Sequence, residues 1–140
     1  MKIKSPTSST EISDLMVTKF KNIGPDDDVY FAAKVMKTER LGYLIVTDDS
    51  DHILGVISER DIITKVVAEN KNTFRVLIRD IMTTPAIVAQ KENTIHRILD
   101  KMADYKLRRI PILSGLKVVG VISQTDLIKS YPQLLTSFKW

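Results

Sequence analysis

Hydrophobic positions recur with helical spacing at two places in the chain. The two apolar stripes, each at positions i, i+3, i+4 and i+7, are formed by Val29, Ala32, Ala33 and Met36, and by Ile95, Ile98, Leu99 and Met102. Such a stripe is typical of an amphipathic helix that buries one face. Asp26 before the first stripe, and Asn93 or Thr94 before the second, are residue types that favour the N-cap. We therefore predict one helix at each stripe, packed against a sheet.

Short apolar runs that follow each predicted helix predict two strands per half. The middle strands are expected at 43–47 and 109–113, and the return strands at 53–57 and 118–122. Polar residues between each pair, at 48–51 and 114–115, suit hairpin connections. The return strands are continuously apolar rather than alternating, so we expect both of their faces to be buried.

One phrase of the sequence occurs twice. Residues 55–63, GVISERDII, return as residues 120–128, GVISQTDLI, at an offset of 65, and DLM at 14–16 resembles DIM at 80–82. Self-similarity at a fixed interval indicates a duplicated structural unit. In each copy we predict a short strand, a helix, two further strands and a second helix, in that order. We expect an N-terminal arm at 1–12, copies at 13–70 and 77–131, a linker at 71–76 and a tail at 132–140. Because the tail is apolar, we expect it to pack against the rest of the chain.

Composition narrows the classes of function. A chain of 140 residues is the size of one compact domain, and each copy is near the lower limit for folding alone. A net charge of +4 is too weak to indicate a nucleic-acid partner by itself. The absence of cysteine excludes disulfides, thiolate catalysis and Cys-based zinc sites. The N-terminus lacks the apolar core of a signal peptide and no run suits a membrane helix, so we expect a cytoplasmic protein.

Three local patterns together resemble the cystathionine β-synthase (CBS) domain. They are the opening segment at 80–85 (DIMTTP), the middle strand at 108–112 (RRIPI) and the strand-to-helix junction at 58–61 (SERD). The duplication resembles a stand-alone CBS pair, also called a Bateman module. The resemblance implies an α+β, sandwich-like fold of two β-α-β-β-α copies packed sheet to sheet about a pseudo-twofold axis. It also implies a homodimer, a regulatory role, and an adenosine-containing ligand (AMP, ADP, ATP or S-adenosylmethionine) in the cleft between copies.

Asp61 and Asp126, three residues after the serines that end the return strands, are the candidate ribose ligands. An ionised carboxylate has two acceptor oxygens, which can take both hydroxyls of a ribose in charge-assisted bonds. The alternative is structural, because Ser-x-x-Asp also resembles a capping box with Asp in place of Glu. Both roles can coexist, and the resemblance to the CBS family favours the ribose role.

Candidate phosphate ligands lie beside these carboxylates. Ser58 and Ser123 stand at helix starts, followed by Arg60 and Thr125. The resemblance implies that Arg108 and Arg109 also reach phosphates, whereas the first copy has the uncharged Gly42 and Tyr43 there. The alternatives are simple capping for the serines and solvated charges for the arginines.

The candidate base-contacting residues follow from the same resemblance. They are Ile110, Pro111, Ile87 and Pro85 in the second copy, and Tyr43, Leu44 and Lys21, with Lys19 nearby, in the first. The first copy lacks the proline of the Ile110–Pro111 step, and Lys21 suits a flat base less than Ile87 does. We therefore expect the Asp126 site to be the better adenosine site.

Other classes of function remain open on the sequence alone. Basic residues such as Arg75 and Arg79 allow a nucleic-acid partner, but aromatic residues are only 6%, too few for stacking platforms. A scaffold that contacts an effector protein without any nucleotide is a further alternative. We expect no enzyme, because no nucleophile–base pair is recognisable. We also expect no metal or cofactor beyond a regulatory ligand, since the acidic runs at 26–28 and 48–51 lack calcium-loop spacing.

Overall fold

The computed structural model describes residues 12–138, which form two compact units. The Asp61 unit is Phe20–Ala86, and the described part of the Asp126 unit combines residues 12–19 with residues 87–138. Each unit contains a three-stranded sheet and helices, which confirms the α+β fold class. Residues 1–11 of the arm predicted at 1–12, and residues 139–140 of the predicted tail, lie outside the described residues. Along the described part of the chain, no helix has the length and apolar character needed to cross a membrane.

The Asp61 unit has its strands in the order β1-β2-β3. Its elements are β1 (Asn22–Ile23), α1 (Val29–Glu39), β2 (Tyr43–Thr47), β3 (Ile53–Ser58), α2 (Glu59–Ile62), a π-helical turn (Ile63–Val67) and α3 (Ile78–Ile81). Strand β1 is parallel to β2, and β2 is antiparallel to β3. The predicted middle and return strands are therefore confirmed, and the helical segment that follows β3 ends at Val67.

The Asp126 unit repeats this arrangement in the order β4-β5-β6. Its elements are a 3-10 turn (Ile12–Asp14), β4 (Ala89–Gln90), α4 (Ile95–Tyr105), β5 (Arg109–Ser114), β6 (Lys117–Ser123), α5 (Gln124–Ser130) and a second 3-10 helix (Pro132–Ser137). The described part of the tail packs as expected, because Leu134 is buried in the core of the unit and Phe138 packs against that core. The helix ends at Ser130, just before Pro132, which cannot continue it.

In each unit, the outer edge of the sheet is formed by the segment that opens the other sequence copy. These opening segments lie around Val17 in the first copy and around Thr83 in the second. In the Asp61 unit, the main chains of Val56 and Thr83 exchange hydrogen bonds of 3.0 and 2.8 Å. In the Asp126 unit, Val17 and Val121 exchange two bonds of 2.9 Å. A return strand that would otherwise be an open edge is thereby paired on both sides. The compact units are consequently not the two sequence copies, since each copy lends its opening segment to the other unit.

The cores of the two units hold the predicted helical stripes. Val29, Ala32 and Met36 are buried in the Asp61 unit, and Ala33 packs against them. Ile95, Ile98 and Met102 are buried in the Asp126 unit, and Leu99 packs against them. Both amphipathic helices are confirmed, and Thr94 caps the second through a bond of 3.3 Å from the Arg97 N–H.

The N-cap predicted for α1 at Asp26 is wrong. Asp28 caps the helix, and its Oδ1 accepts the Phe31 N–H at 2.7 Å. The Gly24 N–H donates to Asp27 Oδ2 at 2.9 Å, so the turn extends two residues further than the sequence suggested. Asp26 instead forms an ion pair with Arg79, whose Nε donates to Asp26 Oδ1 at 2.7 Å.

The expectation that both faces of the return strands are buried is also wrong. In β6, Val118, Gly120 and Ile122 are buried, while Val119 and Val121 are half-buried. The same alternation holds at Gly55, Val56 and Ile57 of β3, whereas four consecutive residues are buried in each middle strand. The continuous apolar run of each return strand therefore includes half-buried residues, for which β-propensity is as good an explanation as burial.

Candidate functional site

The predicted ligand residues of each copy gather where the return strand ends and the next helix begins. Tyr43 pairs with Ser58 in the Asp61 unit, and Arg109 pairs with Ser123 in the Asp126 unit. The Glu59 N–H donates to the Gly42 carbonyl at 3.0 Å, and the Gln124 N–H donates to the Arg108 carbonyl at 2.9 Å. The start of the middle strand is therefore held beside the first turn of the helix in both units.

A capping box organises this turn in both units. Ser123 Oγ accepts the Asp126 N–H at 3.1 Å, and Asp126 Oδ2 accepts the Ser123 N–H at 3.0 Å and its hydroxyl at 2.8 Å. In the Asp61 unit the corresponding distances are 3.2, 2.9 and 3.1 Å. Both carboxylates therefore have the structural role that the alternative interpretation gave them. Each serine hydroxyl uses its one proton within the cap, so it can offer a ligand only an acceptor lone pair.

The second oxygen of Asp61 is occupied by a lysine. Lys65 Nζ lies 3.0 Å from Asp61 Oδ1 and donates to the Ile81 carbonyl at 2.8 Å. The Asp61 side chain is only 13% exposed, whereas Lys65 is 45% exposed. Sequence reasoning missed Lys65, although its place one helical turn after Asp61 is the usual spacing of an ion pair.

The second oxygen of Asp126 is not engaged in this way. Within residues 12–138, Oδ1 of Asp126 has no hydrogen-bond or ion-pair partner. Ser130 occupies the position that matches Lys65 at the repeat offset of 65, and its side chain carries no charge. Asp126 is half-buried, beside the exposed Thr125. The two carboxylates that the sequence treats as equivalent thus differ in the oxygen that a ligand would use.

Charges around the two helix starts differ as well. Arg108 and Arg109 are exposed beside the Asp126 turn, which is the uneven supply of cations that the sequence predicted. In the Asp61 unit, the Glu59 carboxylate covers Gly42, the counterpart of Arg108, and a Cβ at Gly42 would lie 2.2 Å from Glu59 Oε1. The exposed Arg60 is the cation of that turn. The Asp126 end is therefore the more favourable of the two for an anionic group.

Three candidate base-contacting side chains lie inside the units. Ile110 and Leu44 are 0% exposed and belong to the two cores, and Pro111 is buried beside Ile110. Because core packing consumes their surfaces, these residues can present only main-chain atoms to a base. Ile87 and Tyr43 are half-buried and keep some side-chain surface.

The candidate residues of each opening segment are divided between the two units, whereas the sequence predicted that each set lies at one site. Ile87 lies in the Asp126 unit, whereas Pro85 lies in the Asp61 unit, close to the bond from Thr84 Oγ1 to the Leu54 carbonyl at 2.7 Å. Lys21 lies in the Asp61 unit and forms an ion pair with Glu39 at 3.7 Å, while Lys19 lies in the Asp126 unit. The Val56–Thr83 pairing holds Pro85 with the first copy, which local sequence could not reveal.

Acidic and histidine side chains do not form a metal cluster in the described part of the chain. His52 and Asp48 form an isolated pair, with Nδ1 3.6 Å from Oδ2. Asp48 closes the turn between β2 and β3, because its Oδ1 accepts the N–H groups of Ser50 and His52, each at 2.9 Å. This arrangement suits a turn rather than a metal ligand set.

A protein-family model described as the CBS domain matches residues 12–68 and 78–133. The chain is similar to an uncharacterised protein of Methanopyrus kandleri, with 28% identity over 82% of this chain, and spans 59% of the length of that protein. It is 30% identical to YlbB of Bacillus subtilis, over 84% of this chain and 80% of YlbB. A hexameric CBS-CP12 protein from cyanobacteria has a similar structure, with a TM-score of 0.82 and 25% identity, over 96% of this chain and 74% of that one.

Proposed function

The chain belongs to the CBS domain family as a tandem pair, and from this premise we propose that it is a regulatory module for an adenosine-containing ligand. CBS pairs are commonly regulatory and bind small ligands. The ligand class proposed for this chain is AMP, ADP, ATP or S-adenosylmethionine, held through its ribose by Asp126. No catalytic step is part of the proposal.

The single observation that supports this function best is the uncommitted oxygen of Asp126. Its carboxylate is held in place, because Oδ2 accepts two bonds from Ser123 while Oδ1 has no partner among the described side chains. A fixed acceptor loses little conformational entropy when a ligand arrives. Two vicinal hydroxyls are suitable donors for it, because an ionised carboxylate can only accept hydrogen bonds.

The neighbouring cations support an anionic extension of the ligand. Arg108 and Arg109 are exposed at the start of β5, next to the helix turn that carries Asp126. An arginine guanidinium can bind two phosphate oxygens at once. The surroundings of Asp126 thus suit a ribose with a phosphate nearby, and the proposal favours AMP, ADP and ATP over S-adenosylmethionine.

We further propose that the module works as a homodimer that reports ligand binding to an effector protein. The CBS-CP12 relative is described as hexameric, which is a property of that protein. For this chain, ligand binding can change the assembly only through different affinities for its two states.

The test is calorimetric titration of the full chain with AMP, ATP and S-adenosylmethionine, followed by the 2′-deoxy form of the ligand that binds. We expect loss of the 2′-hydroxyl to weaken binding by about tenfold or more, because one charge-assisted hydrogen bond is lost. Asp126→Asn should weaken binding similarly. Asp104→Asn, at an exposed position of α4, is the matched control. Equal binding of ribo and deoxy forms would exclude the proposed role of Asp126, and binding of none of the three ligands would remove the proposed function.

A further inference from the structure

We propose that Lys65 is an internal counter-ion that closes the Asp61 site, so that the chain binds one adenosine ligand, at Asp126. This inference rests on the proposed function and concerns the residue that decides which copy is used. The cation is part of the chain, and it occupies the oxygen that a ribose would need.

The contacts of Lys65 explain why it is held. Its ammonium group forms an ion pair with Asp61 Oδ1 at 3.0 Å and donates a hydrogen bond to the Ile81 carbonyl at 2.8 Å. The Ile81 side chain is buried in the core of the unit, and this fixes the carbonyl that orients the ammonium group. A ligand hydroxyl that displaced Lys65 from Asp61 would break an ion pair and offer only a neutral donor in return.

Both oxygens of Asp61 are thereby engaged within the chain. Oδ2 accepts the N–H and hydroxyl of Ser58, and Oδ1 forms the ion pair with Lys65. The side chain is also 13% exposed, so little of it faces solvent. A ribose diol would therefore have to compete with Ser58 and Lys65 for both oxygens of Asp61.

The second copy lacks the ammonium group of this device. Ser130 replaces Lys65 at the repeat offset, and Leu15 corresponds to Ile81. The neighbouring Lys129 is exposed and forms no ion pair with Asp126 in the part of the chain the structure covers. Since the two capping boxes are otherwise alike, the lysine is the main difference between the two carboxylates.

Glu59 adds an independent reason for a single site. Its carboxylate covers Gly42, whereas the second copy has the neutral Gln124 and the cation Arg108 at the matching places. A ligand that carries phosphate meets the Glu59 carboxylate as well as the cation Arg60 near Asp61, whereas near Asp126 it meets Arg108 and Arg109 without a matching glutamate. Charge and hydrogen bonding therefore select the same copy.

Reciprocal exchange of the two matched residues tests the inference. Calorimetry of the full chain with AMP, ATP and S-adenosylmethionine, titrated separately, gives the stoichiometry and affinity of wild type, Lys65→Ser and Ser130→Lys. We expect one ligand per wild-type chain and a second binding event in Lys65→Ser. We expect Ser130→Lys to weaken binding at Asp126 by about tenfold or more, because the new ammonium group competes for its carboxylate.

Two further variants separate the possible outcomes. Lys65→Met keeps the aliphatic stem and should also open the second site, which controls for any loss of folding in Lys65→Ser, monitored by circular dichroism. The double variant Lys65→Ser with Asp126→Asn should bind one ligand, now at Asp61. Two equal sites in wild type, or one unchanged site in both Lys65 variants, would overturn this inference while leaving the proposed function intact. Absence of binding in all variants would overturn both.

Discussion

Single side chains decide several local structures of this protein through hydrogen bonds to the main chain. Asp48 is an example, because its Oδ1 accepts two N–H groups across the turn between β2 and β3. The hydrogen bond from the His52 N–H is the largest cause of the lowered pKa of Asp48. Desolvation is the next largest cause and opposes it, while the Ser50 N–H and the His52 ring lower the pKa further. Hydrogen bonds to the charged form have this sign because protonation would weaken them.

The turn should therefore be acid-sensitive at Asp48. A carboxyl whose pKa is lower in the folded than in the unfolded state stabilises the protein above its unfolded pKa, and this contribution is lost as pH falls through the folded pKa. Stability of wild type should fall between pH 5 and pH 2 by more than that of Asp48→Asn, as measured by thermal melts across this range. Asp49→Asn, in the same turn, is the control. Parallel melting curves for wild type and Asp48→Asn would contradict the prediction.

At the scale of elements, the glycine of the duplicated phrase allows a close crossing. A Cβ at Gly55 would lie 2.5 Å from the Thr83 carbonyl oxygen, and one at Gly120 would lie 2.7 Å from Met16 Sδ. The opening segment of one copy passes over the return strand of the other at these points. Glycine is required here because only a strand without a side chain lets another backbone approach so closely.

Replacing these glycines should destabilise the two units unequally. We expect Gly55→Ala to cost about 1–3 kcal/mol, because a main-chain oxygen must move. Gly120→Ala should cost less, since the end of the flexible Met16 side chain can shift, although the Val17 oxygen would be 3.0 Å away. Urea denaturation of the three proteins measures the difference. An unfolding free energy of Gly55→Ala equal to that of wild type would show that the crossing accommodates a methyl group, which would contradict the prediction.

At the scale of the whole molecule, the units of sequence and the units of structure differ. Ile12 is fully buried in the core of the Asp126 unit, and Leu15 and Met16 pack against that core. Ile78 and Ile81 are likewise buried in the Asp61 unit. Each core is therefore completed by apolar residues from the opposite sequence copy. Removing the opening segment of one copy should therefore remove core residues from the unit that holds the other copy.

Fragments of nearly equal length can test this organisation. We expect the structural fragment 20–86 to show a cooperative thermal transition, because it contains Ile78, Ile81 and the Thr83 edge. The sequence fragment 13–76 lacks them and should melt without cooperativity, since a domain of this size is marginal when its core is incomplete. Circular dichroism and hydrogen exchange provide the measurement. Equal cooperativity in both fragments would mean that the exchanged segments contribute little to the cores.

The sequence by itself determined the features that depend on neighbours in the chain. Helical stripes, hairpins and both capping boxes rely on residues a few positions apart, so their spacing could be read directly. The resemblance to the CBS family, rather than spacing, implied that Arg108 and Arg109 lie near the ligand. The spacing argument located Asp126 at a helix start. It failed at Asp26, where a slightly longer turn moved the N-cap to Asp28.

Only the tertiary structure decided which strand each opening segment joins and which carboxylate is left with an open oxygen. The Val56–Thr83 pairing and the bond from Lys65 to the Ile81 carbonyl connect residues far apart in sequence. Two copies with the same local signals can therefore differ at long range. The physical reason is that spacing along a helix places Lys65 near Asp61, whereas the distant carbonyls and strand edges that hold such groups depend on how the whole chain packs.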